Sequence, residues 1–209
     1  MFDRILEIFS AQLDGASSLT VGLTYIWAAF WIYWSFAARG NSAKSATTST
    51  YNEPGRTSKL HTALFAVSFA LLLMSWSQQG ALGWRIFPNS SYLMACGFAL
   101  TVSGLAFAVW ARLHLGRYWS GNVSIKEDHK LIQTGPYRFV RHPIYTGILV
   151  GMIGTAIAVG EVRAILAIGF LLAALMVKIP QEEQALTSTF GRKYANYRKK
   201  VKALVPYVV

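Results

Sequence analysis

Residues 144–178 read IYTGILVGMIGTAIAVGEVRAILAIGFLLAALMVK. Two apolar runs, Ile144–Val159 and Ala164–Lys178, are separated only by Gly160, Glu161, Val162 and Arg163, so the stretch reads as a tight hairpin of two membrane helices. Gly147, Gly151 and Gly154 fall on nearly one face of the first of them, which suits close approach by another helix. Three further runs lie N-terminal to the hairpin. Leu19–Ala38 carries no charge and includes Trp27, Trp31, Tyr33 and Trp34, Leu60–Gln79 has His61 as its one ionisable group, and Tyr92–Ala111 is the third. About twenty apolar residues of helix cross about 30 Å of hydrocarbon. The expected fold is all-α, an integral membrane helical bundle with about five transmembrane helices.

Composition agrees. The 209 residues are 54% hydrophobic and 14% charged, with a net charge of +11 and a mean hydropathy of +0.36. So apolar a chain is not disordered, and its single cysteine, Cys96, closes no intrachain disulfide. A nucleic-acid partner is not expected, because the basic residues fall between apolar runs instead of forming a dense patch on a polar domain. All Lys and Arg except Arg4, Arg85 and Arg163 lie in 39–59, 112–141 or 178–202. The positive-inside rule then puts the N-terminus outside and these three segments in the cytoplasm. Met1–Ser18, with Phe2, Ile5, Leu6, Phe9 and Leu13 at helical spacing, reads as an amphipathic interfacial helix. The Ser/Thr-rich stretch 40–58 reads as a loop.

Chemistry is expected where two polar segments meet at the ends of the hairpin. The first contains HKLIQTGPYRFVRHPIYTG, His129–Gly147. Pro143 restricts His142 to extended geometry and suits a first helical turn, so Arg141 and His142 stand at the entrance of the fourth helix. The helix start favours an anionic group, and Tyr137, Phe139 and Tyr145 can flank a planar one. The second contains KIPQEEQAL. Lys178 and Glu182 share a helix face if the fifth helix continues through Pro180. Glu182 and Glu183 are about 100° apart around a helix, so one carboxylate is expected to serve a ligand, with Arg192 or Lys193 as alternative ion-pair partners. Phe190, Tyr194 and Tyr197 form an aromatic stripe that reads as packing. No metal site, P-loop, dinucleotide fingerprint or hydrolase elbow is apparent, and the spans lack the internal charges of an ion pathway.

At LGRYWSGNV, HKLIQTGPYRFVRHPIYTG and EEQALTSTFGRKYANYRKKV followed by Pro206, the chain resembles the isoprenylcysteine carboxyl methyltransferase and phospholipid methyltransferase superfamily of integral membrane enzymes. The resemblance covers roughly Leu113–Pro206 and divides the chain into an N-terminal membrane region, 1–111, and a methyltransferase core, 112–209. It implies an S-adenosyl-L-methionine pocket on the cytoplasmic side, contacted by Asn122, His129, Lys130, Leu131, Ile132, Tyr137, His142, Pro143, Ile144, Tyr145 and Glu182. Asn122 stands where the eukaryotic enzymes use glutamine. Lys178, where they use arginine, is expected on the substrate side; it keeps the charge and loses the bidentate fork. Arg141, His142 and Glu183 are the catalytic candidates, His142 or Glu183 as the base that an ammonium acceptor would require.

The expected reaction is methyl transfer to a lipophilic small molecule or prenylated substrate, as carboxyl methylation of an isoprenylcysteine-like acceptor or a related carboxylate or thiol. Phospholipid amine N-methylation is the alternative within enzymology, and a non-catalytic scaffold or transporter the alternative outside it. Membrane lipids are the surroundings, and a bacterial or archaeal inner membrane the expected location.

Overall fold

A computed structural model describes residues 18–42, 55–73, 80–119 and 130–206. The expected N-terminal interfacial helix and most of the 40–58 loop lie outside them. Six α-helices are described: α1 (Ser18–Ser42), α2 (Gly55–Leu73), α3 (Ser91–Leu115), α4 (Pro143–Val159), α5 (Val162–Phe190) and α6 (Arg192–Lys200). Among the described residues there are no strands, only isolated bridges at Arg85–Glu161 and Val140–Lys202. Each of the first five helices overlaps one of the five expected runs; residues 74–79 of the expected second run lie outside the described residues.

Helices α3 and α5 are long and apolar enough to cross a membrane, and only 28% and 39% of their most apolar windows are buried. The core helix of a water-soluble protein would be mostly buried. Here Val102, Trp110, Leu113, Ile165, Phe170 and Met176 face outward, a surface suited to lipid. Helices α1, α2 and α4 carry shorter apolar stretches, Val21–Ala37, Lys59–Leu72 and Pro143–Val159.

The bundle is built from two tight pairs. In the first, α3 and α4 meet backbone to backbone. A Cβ added to Gly104 would lie 2.5 Å from the Gly151 nitrogen, and one added to Gly147 would lie 2.5 Å from the Gly104 carbonyl oxygen. Gly97 and Gly154 make the same kind of contact further along. The Thr101 hydroxyl lies 2.9 Å from the Gly97 carbonyl and 3.1 Å from that of Gly151. Trp27 of α1 joins this seam by donating from Nε1 to the Thr155 hydroxyl at 3.0 Å. Polar groups buried among apolar helices are thus satisfied in place.

In the second pair, antiparallel α2 and α5 are registered by two bonds. Ser68 Oγ donates to the Ala167 carbonyl at 2.7 Å, and Arg163 Nη1 donates to the Leu72 carbonyl at 3.2 Å. The α4–α5 hairpin connects the pairs. It turns at Gly160, whose φ of 70° and ψ of 22° lie in the left-handed region that glycine adopts without strain.

The fifth helix is longer than its apolar run. Hydropathy falls away at Lys178, yet α5 continues through Pro180 to Phe190. Pro180 removes one backbone donor without ending the helix. The extension carries Lys178, Glu182 and Glu183 to the start of α4.

Candidate active site

Pro136 is the second residue of a 3-10 turn, Gly135–Arg138, and Pro143 is the first residue of α4 with His142 as its N-cap. Between these prolines the backbone of Arg141 and His142 is held from outside. The Arg141 N–H donates to the Lys202 carbonyl at 2.8 Å and the His142 N–H to that of Ala203 at 3.0 Å. The Thr146 hydroxyl donates to the Leu204 carbonyl at 2.7 Å. The segment Val201–Leu204 therefore straps the loop in place.

Arg141 and His142 turn into the protein. Arg141 donates from Nε at 2.8 Å and from Nη2 at 2.6 Å to Glu183 Oε1. Its Nη1 bonds the Val201 carbonyl. His142 Nε2 lies 3.3 Å from the same Glu183 oxygen, and Nδ1 lies 3.4 Å from Glu182 Oε2. Tyr145 donates its hydroxyl to Glu182 Oε1 at 2.6 Å and stacks on the His142 ring at 5.8 Å. The two carboxylates, diverging around α5 as expected, are bridged by one imidazole. Ion pairing of the glutamates with Arg192 or Lys193 is replaced by Arg141 and by Arg198, whose Nε is 3.3 Å from Glu183 Oε2.

These contacts set the charges. Burial pushes the His142 imidazolium toward neutrality, but its hydrogen bonds to Glu182 and Glu183 outweigh that and raise its pKa above 6.5. Burial likewise disfavours the Glu182 carboxylate, and His142, Tyr145 and Lys178 reverse the effect, lowering its pKa. Glu183, opposed by burial and favoured by His142 and Arg141, is lowered to about 2.

A cavity of about 750 Å³ opens beside this cluster. Its size falls within the roughly 300–1,000 Å³ of small-molecule sites. Of the residues singled out in the sequence, Lys130, Leu131, Ile132, Tyr137, Arg141, His142, Pro143, Ile144, Tyr145, Lys178 and Glu182 line it. Glu183 stands behind the wall, holding Arg141 and His142. Asn122 and His129 lie outside the described residues.

The opposite half of the cavity is apolar and comes from residues to which the sequence reading gave no site role. Trp31 and Trp34 of α1, Phe65 and Phe69 of α2, Ile148 of α4 and Ala174 and Leu175 of α5 form it. Helices α1 and α2 meet here through rings, Trp31 lying 5.8 Å from Phe65 and 5.1 Å from Phe69. The only signal in the sequence was the density of aromatic residues in the first run. Tyr194 and Tyr197 of the α6 stripe are buried, as expected for packing, and also border the cavity.

Comparison with known proteins follows the same division. The model of the isoprenylcysteine carboxyl methyltransferase (ICMT) family matches residues 96–188. This is the family that the sequence blocks resemble, and the match covers less than half of the chain. Protein-S-isoprenylcysteine O-methyltransferase B of Arabidopsis thaliana is 32% identical over 115 residues, covering 54% of this chain and 58% of that protein. Cobalt-zinc-cadmium resistance protein CzcN of Cupriavidus metallidurans is 33% identical over 109 residues, covering 51% and 48%. The chain thus spans about half the length of these relatives. A solved structure of a eukaryotic intramembrane Ras methyltransferase, ICMT, aligns at 23% identity and a TM-score of 0.49 over 76% of this chain and 55% of that one. These relatives include a plant and a bacterial protein, so they do not support a bacterial or archaeal membrane over a eukaryotic one.

Proposed function

We propose that the protein is an integral membrane methyltransferase that uses S-adenosyl-L-methionine to methylate a lipophilic acceptor with an anionic head, as in carboxyl methylation of an isoprenylcysteine-like acid or a related thiol. One observation carries this reading: a single cavity joins the Tyr145–Glu182–His142 cluster to an aromatic, apolar chamber. A water-soluble polar cofactor and a lipid-soluble acceptor need such a pair of environments side by side.

The residues present suit the cofactor. Glu182 is a carboxylate fixed on both oxygens, by Tyr145 and by His142, and faces the cavity. It would hold a cationic or hydroxyl group of the cofactor, and Tyr137 with Lys130–Ile132 would flank its planar part. Bound there, the cofactor supplies a sulfonium methyl group for in-line displacement. Around it the protein contributes alignment and exclusion of water. Arg141 and Glu183 act through position, holding His142 and thereby Glu182.

The charges favour an anionic acceptor. An ammonium acceptor must lose a proton before it can attack, and needs a base near neutral pKa. Glu183 is lowered to about 2 and stands behind the wall, and both ring nitrogens of His142 face carboxylate oxygens, so neither offers a lone pair to take that proton. A carboxylate or thiolate needs none taken, and Lys178, buried in the cavity wall, offers it a counter-charge. In this reading α1 and α2, from the 1–111 region, receive the acceptor's tail, and the 112–209 region holds the cofactor. Five helices span the bilayer, with the N-terminus outside and the site and C-terminus in the cytoplasm.

The test is transfer of a labelled methyl group from S-adenosylmethionine, comparing N-acetyl-S-farnesyl-cysteine with phosphatidylethanolamine. Label in the base-labile ester of the former supports the reading. Label in the phospholipid amine, or in neither, overturns it.

A further inference from the structure

His61 of α2 borders the cavity together with its neighbour Thr62. The register of α2 on α5 fixes its level. Ser68 pairs with Ala167 and Leu72 with Arg163 in antiparallel sense, which sets His61, seven residues before Ser68, level with Ala174, seven residues after Ala167. Lys178 lies one turn further along α5, about 6 Å in rise and on the same face. Ala174 and Lys178 both line the cavity.

From His61 onward the wall changes character. Phe65 and Phe69 follow on the same face of α2, each packed on Trp31, while Leu175 and Ala174 follow Lys178 toward the other end of α5. His61 and Lys178 therefore mark, on opposite helices, the line where polar wall gives way to aromatic wall. An amphiphile that puts its tail among the rings leaves its head at this line. Glu182 is the one acid among the described residues of the wall, and it is engaged by His142 and Tyr145 and also feels the charge of Lys178. An anionic head at the line meets an ammonium and an imidazole, whereas an ammonium head meets the like charge of Lys178.

We propose that His61 is a second acceptor-binding residue, which with Lys178 holds the anionic head of the acceptor where the polar and aromatic halves of the cavity meet. The inference rests on the methyltransferase reading above. It assigns part of acceptor recognition to α2, which lies outside the residues matched by the family model.

Binding of N-acetyl-S-farnesyl-cysteine and of its uncharged primary amide to detergent-purified wild type, His61→Ala and His61→Gln tests it. His61→Ala should weaken binding of the acid about tenfold, the loss of one hydrogen bond to a charged group. Binding of the amide and of S-adenosylmethionine should be unchanged, and His61→Gln, which keeps a donor, should recover part of the loss. Equal weakening of acid and amide would mean that His61 shapes the wall without recognising the head, and no weakening would mean no contact; either overturns the proposal. If His61→Ala also loses cofactor affinity, the ratio of acid to amide binding in His61→Gln decides. A wild type that methylates the acid but is indifferent to His61 overturns this inference alone. A wild type that binds neither compound overturns both it and the methyltransferase reading.

Discussion

Glu183 illustrates how much one side chain can hold without facing the cavity. It accepts two hydrogen bonds from Arg141 on one oxygen, shares that oxygen with His142, and turns the other to Arg198. Arg198 is 60% exposed, so this last contact adds little. Glu183→Gln would leave the Arg141 guanidinium buried without its counter-charge, a loss of roughly 3–5 kcal/mol. Thermal unfolding in detergent should show the drop, with Arg198→Ala near the wild type. The pH dependence has two limbs. The Glu183 pKa is depressed from 4.5, so its contribution is complete above about pH 4.5 and is lost as the pH falls toward 2. The His142 pKa is raised, so its contribution is complete below about pH 6.5 and is lost as the pH rises through the raised value. His142→Asn should flatten the alkaline limb of stability against pH and leave the acid limb; an unchanged alkaline limb would refute the charged His142. The reactive residue types here were legible in the sequence, since Pro143 fixes His142 at a helix entrance and Lys178 and Glu182 share a face. Their partners were not. Arg141, Glu183 and Arg198 meet only because α5 continues past Pro180 and the chain folds back as α6, and neither event leaves a periodic mark on composition.

At the scale of elements, the closest joint is that of α3 with α4. Gly147 and Gly104 oppose each other so closely that a Cβ on either would lie within about a bond length and a half of backbone atoms, at 2.5 Å. Gly147→Val should separate the helices, tilt the entrance of α4 where His142 sits, and lower both the yield of folded protein and its thermal midpoint. Gly169, on α5, has nothing within 4 Å of a built Cβ, so Gly169→Ala should be tolerated. Thermal scans of the two variants side by side measure the difference. The glycines of α4 are visible as a stripe, whereas Gly97 and Gly104, seven residues apart on α3, form no such run. Their role becomes legible only once the partner face is known. The strap Val201–Leu204 was equally hidden, because it joins the Arg141–His142 loop through backbone hydrogen bonds to which the side chains of Lys202 and Ala203 contribute nothing.

At the scale of the whole molecule, the five apolar helices followed directly from hydropathy, whereas the chamber between them did not. Trp31, Trp34, Phe65 and Phe69 satisfy the hydropathy of a span whether they face lipid or a cavity, and a linear pattern does not separate the two. The polar half was carried by recognisable blocks, which is why residues 96–188 match a family model and α1 and α2 do not. In the proposed reading S-adenosylmethionine binds at the Glu182 end of the cavity. Calorimetric titration of the cofactor into detergent-purified wild type and Glu182→Ala tests it most directly, with retention of the wild-type unfolding midpoint as the control for folding. Saturable binding by the wild type that is lost in Glu182→Ala is the predicted result. Equal affinity in both, or no binding by folded wild type even with lipid and N-acetyl-S-farnesyl-cysteine present, would contradict it.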